Sequence, residues 1–238
     1  MMPPAGLAGT LVSGAYAATL LQCEETPDEQ RAIGALARWW RVVQARCGPA
    51  SSPRALADVA AAPLALALGY TLRRATALSE THWIAVLEAA GVATPIVITT
   101  WGGSLDRAWR ASVRQSLSLH ARWCFLFNGT HLRLLDAGRT FARRHIDFDL
   151  ESLADSAAAA RLLIVLASAG SLRPPAADRS DPDPLAAIVA ASDAHGQRVC
   201  VALRGGVHQA LEHLLAALVE SRRGRRARTA PRVPSTSA

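Results

Sequence analysis

Arginine provides every strongly basic side chain of this sequence, because all 26 positions held by lysine or arginine are arginine. An arginine-for-lysine coding bias, which would also explain the abundant alanine, accounts for the composition. The chemical consequence holds in either case. A chain without lysine contains no Schiff-base lysine, no P-loop lysine and no nuclease centre that depends on lysine.

Three arginines are spaced for a shared surface on one predicted helix, Leu105 to about Leu119. Arg107, Arg110 and Arg114 follow one another at i, i+3 and i+7, which places them on one side of that helix. Two interpretations are open. The arginines form a solvated face, with Asp106 and Arg110 paired at i, i+4, or they contact phosphate.

A second group of arginines lies close to the C-terminus. The formal net charge is +7, and without the six arginines of residues 222–238 it falls to +1, because that segment holds no acid. The net charge alone therefore does not imply a strongly basic DNA-binding surface. We expect a disordered basic tail, either solubilising or in non-specific contact with nucleic acid; its candidate DNA contacts are Arg222, Arg223, Arg225 and Arg226.

The remaining reactive residue types lack the spacing of known sites. The four cysteines form no Cys-x-x-Cys pair, so zinc is not expected, and Cys124 is predicted to be a small core residue. His208 and His213 lie five residues apart on a predicted helix and are expected to be surface histidines, not metal ligands. The apolar stretch 5–21 has no preceding positive charge and is too interrupted to span a membrane, so we expect a cytoplasmic protein without a membrane partner.

The elements of the first half are predicted from caps, breakers and apolar periodicity. A capping box at Thr26 opens a helix that runs to about Arg46. A second helix is predicted near residues 54–61, a strand near 70–77, and a short helix from Ser79 to Gly91.

The middle of the chain has the clearest strand signals. The β-branched run 94–101 is typical of a buried strand, ended by a Gly-Gly pair. Asn128-Gly129 separates two strand-like runs, 123–127 and 131–135, which predicts a hairpin with a type I′ turn. A further strand is expected at 144–148, followed by a helix to about residue 169.

The C-terminal third is predicted to be helical after a linker. Helices are expected over 185–222, broken near Gly196 or Gly205-Gly206. An apolar stripe there needs a cover: Leu203, Val207, Leu211, Leu214 and Leu218. We expect it to fold back on residues 25–60, whose Trp40 stripe also needs a partner, or else to pair between chains.

This order of strand, strand, helix, strand, strand resembles the restriction-endonuclease-like core. The run PIVI at 95–98 resembles the catalytic strand of the type I restriction-subunit branch, and FLFNGTHLRLLD at 125–136 resembles its Asn-Gly hairpin. The segment FARRHIDFDL at 141–150 is similar to a narrower group, the N-terminal region of type IIG restriction–modification proteins. The segments 193–196 and 204–207 resemble the helical connector that precedes the adenine DNA methyltransferase of those proteins. The likeness covers roughly residues 25–220.

The resemblance implies an α/β fold: a mixed sheet of the restriction-endonuclease type flanked by helices, with a C-terminal helical segment. It divides the chain into an N-terminal segment (1–24), an endonuclease-like domain (25–170), a linker (171–184), a helical connector (185–221) and the basic tail (222–238). No glycine-rich cofactor loop and no Asn-Pro-Pro-Tyr motif is present. We therefore expect a chain truncated before the methyltransferase domain.

The endonuclease signature is missing from its expected place. Thr99 and Trp101 occupy the positions where the resembling nucleases place glutamate and lysine, and neither can hold a divalent cation or stabilise charge on a scissile phosphate. Asp58 and Glu80 are the only weak candidates for an upstream metal-binding acid. The resemblance therefore implies a degenerate site with no catalytic residue and no bound metal.

The expected function is a non-catalytic, DNA-associated or scaffold module of a restriction–modification system, without a cofactor. Its expected partners are DNA, bound weakly and non-specifically, and a DNA methyltransferase domain or subunit. One alternative is a magnesium-dependent endonuclease with a migrated active site. The other is a stand-alone protein-interaction module.

Overall fold

A computed structural model describes residues 6–89, 91–173 and 183–229, without the side chains of Val92, Ala154 and residues 222–229. The chain divides into two compact units, Met1–Asp193 and Ala194–Ala238. The first unit is an α/β structure built around a seven-stranded mixed sheet. The helices are α1 Gly14–Leu20, α2 Pro27–Arg46, α3 Pro53–Leu56, α4 Ala62–Ala67, α5 Leu105–Ser118, α6 Leu150–Asp155, α7 Ala157–Ala167 and α8 Pro184–Thr229. The strands are β1 Leu7–Gly9, β2 Thr71–Ser79, β3 His82–Ala89, β4 Val92–Thr99, β5 Trp123–Phe127, β6 His131–Asp136 and β7 His145–Asp149.

The sheet order is β1-β7-β6-β5-β4-β3-β2. Every neighbouring pair is antiparallel except β4 and β5, which are parallel and joined by helix α5. A parallel pair needs a crossover connection, and α5 provides it across one face of the sheet. The carboxyl ends of β4 and β5 consequently lie at the same edge, next to the start of α5.

Two hydrophobic cores cover the two faces of the sheet. Strand β5 is buried along its whole length, and its side chains alternate between them: Phe125 and Phe127 belong to the larger core, Cys124 and Leu126 to the smaller. Helices α2, α4 and α7 contribute to the larger core, whereas α5 covers the smaller one. The prediction that Cys124 is a core residue is confirmed, and burial raises the pKa of its thiol to about 12.

The long helix α2 forms as its sequence predicts. The Thr26 hydroxyl accepts a hydrogen bond from the Glu29 backbone N–H at 3.2 Å, and the Glu29 carboxylate accepts one from the Thr26 N–H. Trp40 on this helix is buried within the first unit, against apolar side chains of α6 and α7. The Trp40 stripe is thus buried in the larger core of the first unit.

The prediction of a short helix over residues 79–91 is wrong. Residues His82–Ala89 form strand β3, which pairs along its whole length with β4 and also with β2. The run is apolar and short, so its periodicity does not separate a helix from a strand. Hydrogen bonding to β2 on one side and β4 on the other stabilises the strand conformation.

The strand predicted near residues 70–77 is confirmed as β2. The helix predicted near 54–61 is present, but it continues to Ala67 and contains a π-helical turn, Ala57–Ala61. The predicted breaks at Gly196 and Gly205-Gly206 are wrong, because α8 is continuous through them. Each helical glycine costs up to about 1 kcal/mol, and the surrounding alanine and leucine residues favour the helix enough to outweigh it.

The sheet extends to the N-terminal segment. Strand β1 pairs with β7, with Leu7 opposite Phe148 and Gly9 opposite Ile146. Gly9 has φ of +122°, and a side chain there would overlap the carbonyl of His145, so the tight pairing requires glycine. Residues 7–20 therefore belong to the first unit and complete one edge of its sheet.

Parts of the predicted linker and tail lie outside the described residues. These are residues 174–182 of the linker and 230–238 of the tail. Helix α8 extends to Thr229, so the described start of the predicted tail is helical. Among the described residues, no helix is long and apolar enough to cross a membrane.

Candidate functional site

Thr99 and Trp101 lie at the carboxyl end of β4. Thr99 is the last residue of the strand and is buried. Trp101 packs over the hairpin turn so closely that a Cβ on Gly129 would lie 2.5 Å from its ring carbon Cε3. At the position where the resemblance predicts the absence of a lysine, the ring of Trp101 packs against a turn.

Asn128 ties this edge of the sheet together. Its amide nitrogen donates to the Gly103 carbonyl at 2.8 Å, and its Oδ1 accepts from the backbone N–H groups of Thr130 and His131. The hairpin is confirmed, but the type I′ turn is wrong, because Gly129 has a positive φ of +86° and Asn128 does not. Asn128 is used for its side chain, which bridges the turn to the loop after β4.

The two candidate acids are on the surface. Asp58 lies in the π-helical turn, 69% exposed, with Arg54 4.0 Å away. Glu80 is exposed in the turn between β2 and β3. Within the described part of the chain, no group of three or more histidine, cysteine, aspartate or glutamate side chains is placed to hold a metal ion. Asp58 and Glu80 thus belong to no such group.

A network centred on the buried Arg133 joins the sheet to the first turn of α5. The Arg133 guanidinium on β6 donates to both carboxylate oxygens of Asp147 on β7, at 2.6 and 2.8 Å. It also donates to Asp106 of α5 at 2.6 Å. Asp106 is therefore paired with Arg133, and its predicted pairing with Arg110 is not the one formed.

The charges of this network stabilise one another. The hydrogen bond from Arg133 lowers the pKa of Asp106. Burial on its own lowers the pKa of Arg133, but the hydrogen bonds to Asp147 and Asp106 outweigh it and raise that pKa above its ordinary value. An arginine that is always charged and bonded on two sides fixes the helix on the sheet. We assign this network a positioning role.

The outer surface of α5 and the 3₁₀ turn Ala137–Ala142 enclose an open groove, which we call the arginine groove. Arg110 and Arg114 of α5 and Arg143 after the turn line it together with apolar side chains. The full lining is Trp109, Arg110, Val113, Arg114, Leu117, Thr140, Phe141 and Arg143. Arg107 is exposed on the same side of α5 but lies outside this lining.

Aromatic side chains form part of the arginine groove. The Arg143 guanidinium lies 5.9 Å from the centroid of the Trp109 ring, within the range of a cation–π contact. Phe141 is fully exposed, at 103% of its reference area. A groove with three guanidinium groups beside exposed apolar surface can bind an anionic ligand that also carries flat apolar parts.

Local hydrogen bonds place the 3₁₀ turn at the groove. Asp136 at the end of β6 is buried and accepts a hydrogen bond from the Gly138 N–H at 3.0 Å and one from Arg122 at 3.3 Å. The turn ends at Arg143, which adopts the left-handed conformation with φ of 45°. In the described part of the chain, Arg107, Arg110 and Arg114 form no ion pair.

Sequence reasoning found part of this arrangement. It identified the arginine face of α5, and the structure adds Arg143 and Phe141 from a segment predicted only as the approach to a strand. The pairing of Arg133 with Asp106 had no sequence signal, because the two residues are 27 positions apart. The side chains of Arg222, Arg223, Arg225 and Arg226 lie outside the described part of the structure.

Comparison with protein-family models, curated proteins and solved structures finds no match to this chain.

Proposed function

We propose that the chain is a non-catalytic DNA-associated module of a restriction–modification system and that the arginine groove is its DNA-contacting surface. The observation that supports this most directly is the convergence of Arg110, Arg114 and Arg143 on one open groove. Arginine is suited to phosphate because its planar fork matches two phosphate oxygens at once. Such a module would act on cytoplasmic DNA.

The aspartates near the groove form no ion pair with these arginines in the described part of the chain, although the charge of Arg143 helps to lower the pKa of Asp106. Asp106 is bonded to Arg133, and Asp136 to Arg122. The three guanidinium groups are consequently available to a ligand, whereas Arg133 is committed to the interior. Because the three groove arginines have no ion-pair partner among the described residues while Arg133 has two, the groove is better suited to binding phosphate than to holding the fold together.

The arrangement of strands supports the proposed relationship to restriction endonucleases. Strands β3 and β4, helix α5, and strands β5 and β6 follow one another in the order strand, strand, helix, strand, strand, with α5 crossing between the parallel strands β4 and β5. Thr99 and Trp101 then occupy the end of β4 without a carboxylate or a lysine. On this proposal the fold is retained for binding, and a methyltransferase domain or subunit is the partner that supplies chemistry.

DNA binding by the groove is testable with fluorescence anisotropy on a labelled duplex over a series of salt concentrations. Arg110→Ala, Arg114→Ala and Arg143→Ala should each weaken binding and reduce the log–log salt slope by about 0.9 for each lost phosphate contact. Arg38→Ala and Arg41→Ala remove the same charge from the exposed side of α2 and serve as matched controls. Deletion of residues 222–238 measures the contribution of the tail.

The outcomes separate the proposals. If the groove variants bind as the wild type does and the tail deletion removes all binding, the groove is not the DNA surface. If the intact chain does not bind DNA at all, the stand-alone interaction module replaces this proposal. A plasmid-cleavage assay with magnesium or manganese tests the nuclease alternative, which metal-dependent cutting lost in Glu80→Gln or Asp58→Asn would establish.

A further inference from the structure

Phe141 is the exposed aromatic side chain of the arginine groove. The other three phenylalanines, Phe125, Phe127 and Phe148, are completely buried in the larger core, whereas Phe141 is exposed at 103% of its reference area. Leu117 lines the same groove and is 65% exposed. A single exposed apolar side chain is common on a protein surface, but this ring lies beside three arginines and a second exposed apolar side chain.

Contacts at both ends hold the 3₁₀ turn that carries Phe141. At its start, the buried Asp136 accepts a hydrogen bond from the Gly138 N–H. At its end, Arg143 adopts the left-handed conformation, which is unfavourable for a residue other than glycine, and its guanidinium contacts the Trp109 ring. The turn therefore keeps Phe141 at the groove, where its ring belongs to neither hydrophobic core.

Three exposed guanidinium groups line the groove together with this ring. Arg110 and Arg114 are four residues apart on α5, about 6 Å along the helix axis, so each can contact a different phosphate group. Arg143 reaches the groove from the 3₁₀ turn. Within the described part of the chain, none of the three forms an ion pair. The groove thus combines available positive charge with an open aromatic face, as sites for single-stranded nucleic acid do.

A paired base and an unpaired base offer different surfaces to such a groove. In a duplex, neighbouring base pairs cover the faces of each base, and a protein reads the base edges from the major and minor grooves. An unpaired base exposes its faces, which stack on aromatic side chains. The arginine groove has a volume of about 530 Å³, within the range of about 300–1,000 Å³ for small-molecule sites. This volume suits one nucleotide of an unpaired strand better than the body of a duplex.

We propose that the arginine groove binds single-stranded DNA, with an unpaired base stacked on Phe141 and the neighbouring phosphates bound by Arg110 and Arg114. Arg143 contacts a further phosphate, and Leu117 adds apolar contact. This inference rests on the proposed function and makes it more specific, because it states which form of DNA the groove accepts.

Fluorescence anisotropy with three labelled probes of equal length tests the preference of the full chain. The probes are a thymidine strand, a duplex, and a strand of abasic sites that keeps the phosphates and lacks the bases. At physiological salt the thymidine strand should bind about ten-fold more tightly than either of the others, because only its bases can stack. The basic tail contacts phosphates alone, so it cannot distinguish the thymidine strand from the abasic strand.

Substitution of Phe141 tests the stacking contact itself. Phe141→Ala should weaken binding of the thymidine strand about 5- to 150-fold, the range expected for loss of one stacked base, and should leave binding of the duplex and the abasic strand unchanged. Phe141→Tyr keeps an aromatic ring and should retain the affinity, whereas Phe141→Leu should not. Leu66→Ala removes a 73% exposed apolar side chain from α4, outside the groove, and is the matched control. An unchanged thermal midpoint shows that each variant is folded.

Photo-cross-linking locates the stacked base. A strand that carries 5-iodo-2′-deoxyuridine cross-links on irradiation to an aromatic side chain stacked on the base, and mass spectrometry of the digested complex should place the cross-link at Phe141. Cross-links confined to residues outside the groove would overturn the proposal. A uridine RNA strand that binds about ten-fold more tightly than the thymidine strand would overturn the assignment to DNA.

The results separate this inference from the proposed function. If Phe141→Ala binds all three probes as the wild type does, while Arg110→Ala and Arg114→Ala weaken duplex binding, the groove contacts DNA without stacking, and only the present inference fails. Equal weakening of all three probes by Phe141→Ala would also exclude stacking. If the full chain binds none of the probes, the proposed function fails together with this inference.

Discussion

Trp101 and Gly129 are in such close contact that each restricts which side chain fits at the other position. The Trp101 ring lies directly over the turn, where only a hydrogen fits on the Gly129 α-carbon. Gly129 also has a positive φ, so it is required for its backbone conformation and for the space it leaves. The edge of the sheet at the carboxyl ends of β4 and β5 is thus held by this packing and by the hydrogen bonds of Asn128.

Substitution of Gly129 by alanine should be markedly destabilising. Gly91 is the matched control, because it has φ of +78° but open space around its α-carbon. Gly91→Ala should cost about 1 kcal/mol from the backbone alone, and Gly129→Ala should cost about 1–3 kcal/mol more from overlap with the Trp101 ring. Urea unfolding measures both. Equal effects of the two substitutions would show that Trp101 does not restrict the turn.

At the residue scale, contacts between side chains of different helices and strands were the hardest feature to predict from the sequence. The sequence shows that Asp106 and Arg110 are one helical turn apart, and local spacing favours their pairing. Arg133 outcompetes Arg110 because it is buried and can bond to two carboxylates at once. Contacts of this kind depend on the sheet register, which single-residue patterns do not contain.

At the scale of elements, strong local signals gave correct predictions and ambiguous ones did not. The capping box of α2, the amphipathic pattern of α5 and the Asn-Gly hairpin each have a local physical cause. The two helices form as predicted, and the hairpin forms with a turn of a different type. Strand β3 was predicted as a helix because an eight-residue apolar run fits both structures. Hydrogen bonding to β2 and β4, which lie on either side of β3, stabilises the strand conformation.

The start of α8 is held in the first unit by the burial of Leu185 and Val189 in the larger core and by an ion pair between Arg144 and Asp193. Arg144 donates to both carboxylate oxygens of Asp193 at 2.7 Å and also to the backbone carbonyl of Leu11 at 2.9 Å. The hydrogen bond from Arg144 lowers the pKa of Asp193 below its ordinary value of 3.8. Arg144, which lies just before β7, therefore bonds both to Asp193, the last residue of the first unit, and to the N-terminal segment.

Low pH should reduce the stability that the ion pair between Arg144 and Asp193 contributes. A carboxylate with a lowered folded-state pKa contributes stability that is present above its unfolded-state pKa and is lost as the pH falls through the folded-state value. The stability difference between wild type and Asp193→Asn should therefore be largest near neutral pH and shrink below the ordinary aspartate range. Urea unfolding of both proteins from about pH 7 to about pH 2 measures it. A difference that does not change with pH would contradict the assigned role of Asp193. Glu80→Gln, in the exposed turn between β2 and β3, changes the net charge by the same amount and is the control.

At the scale of the whole molecule, the two units differ in what stabilises them. The described core residues all lie at or before Val189, within the first unit. The described side chains of the second unit have no core of their own, and its apolar residues are exposed. The first unit should accordingly be stable without the second.

Removal of the second unit provides a direct test. A chain ending after Gln197 keeps the Arg144–Asp193 ion pair and should unfold with the same thermal midpoint as the sheet unit of the full chain. Circular dichroism in the near ultraviolet follows that unit through its tryptophans, all of which precede residue 198. A substantially lower midpoint in the shortened chain would mean that the second unit supports the first.

The pairing of β1 with β7 joins residues that are far apart in the sequence, which affects the order in which the strands can pair during folding. The partner of Leu7 is Phe148, so this edge of the sheet closes only when more than a hundred intervening residues have been synthesised and brought together. Closing so long a loop carries a large entropic cost and slows folding, whereas the β5–β6 hairpin closes over a few residues. During synthesis on the ribosome, β1 is therefore expected to remain unpaired while the central strands form. We expect β1 to be the last of the described strands to join the sheet and the folding nucleus to lie around the hairpin.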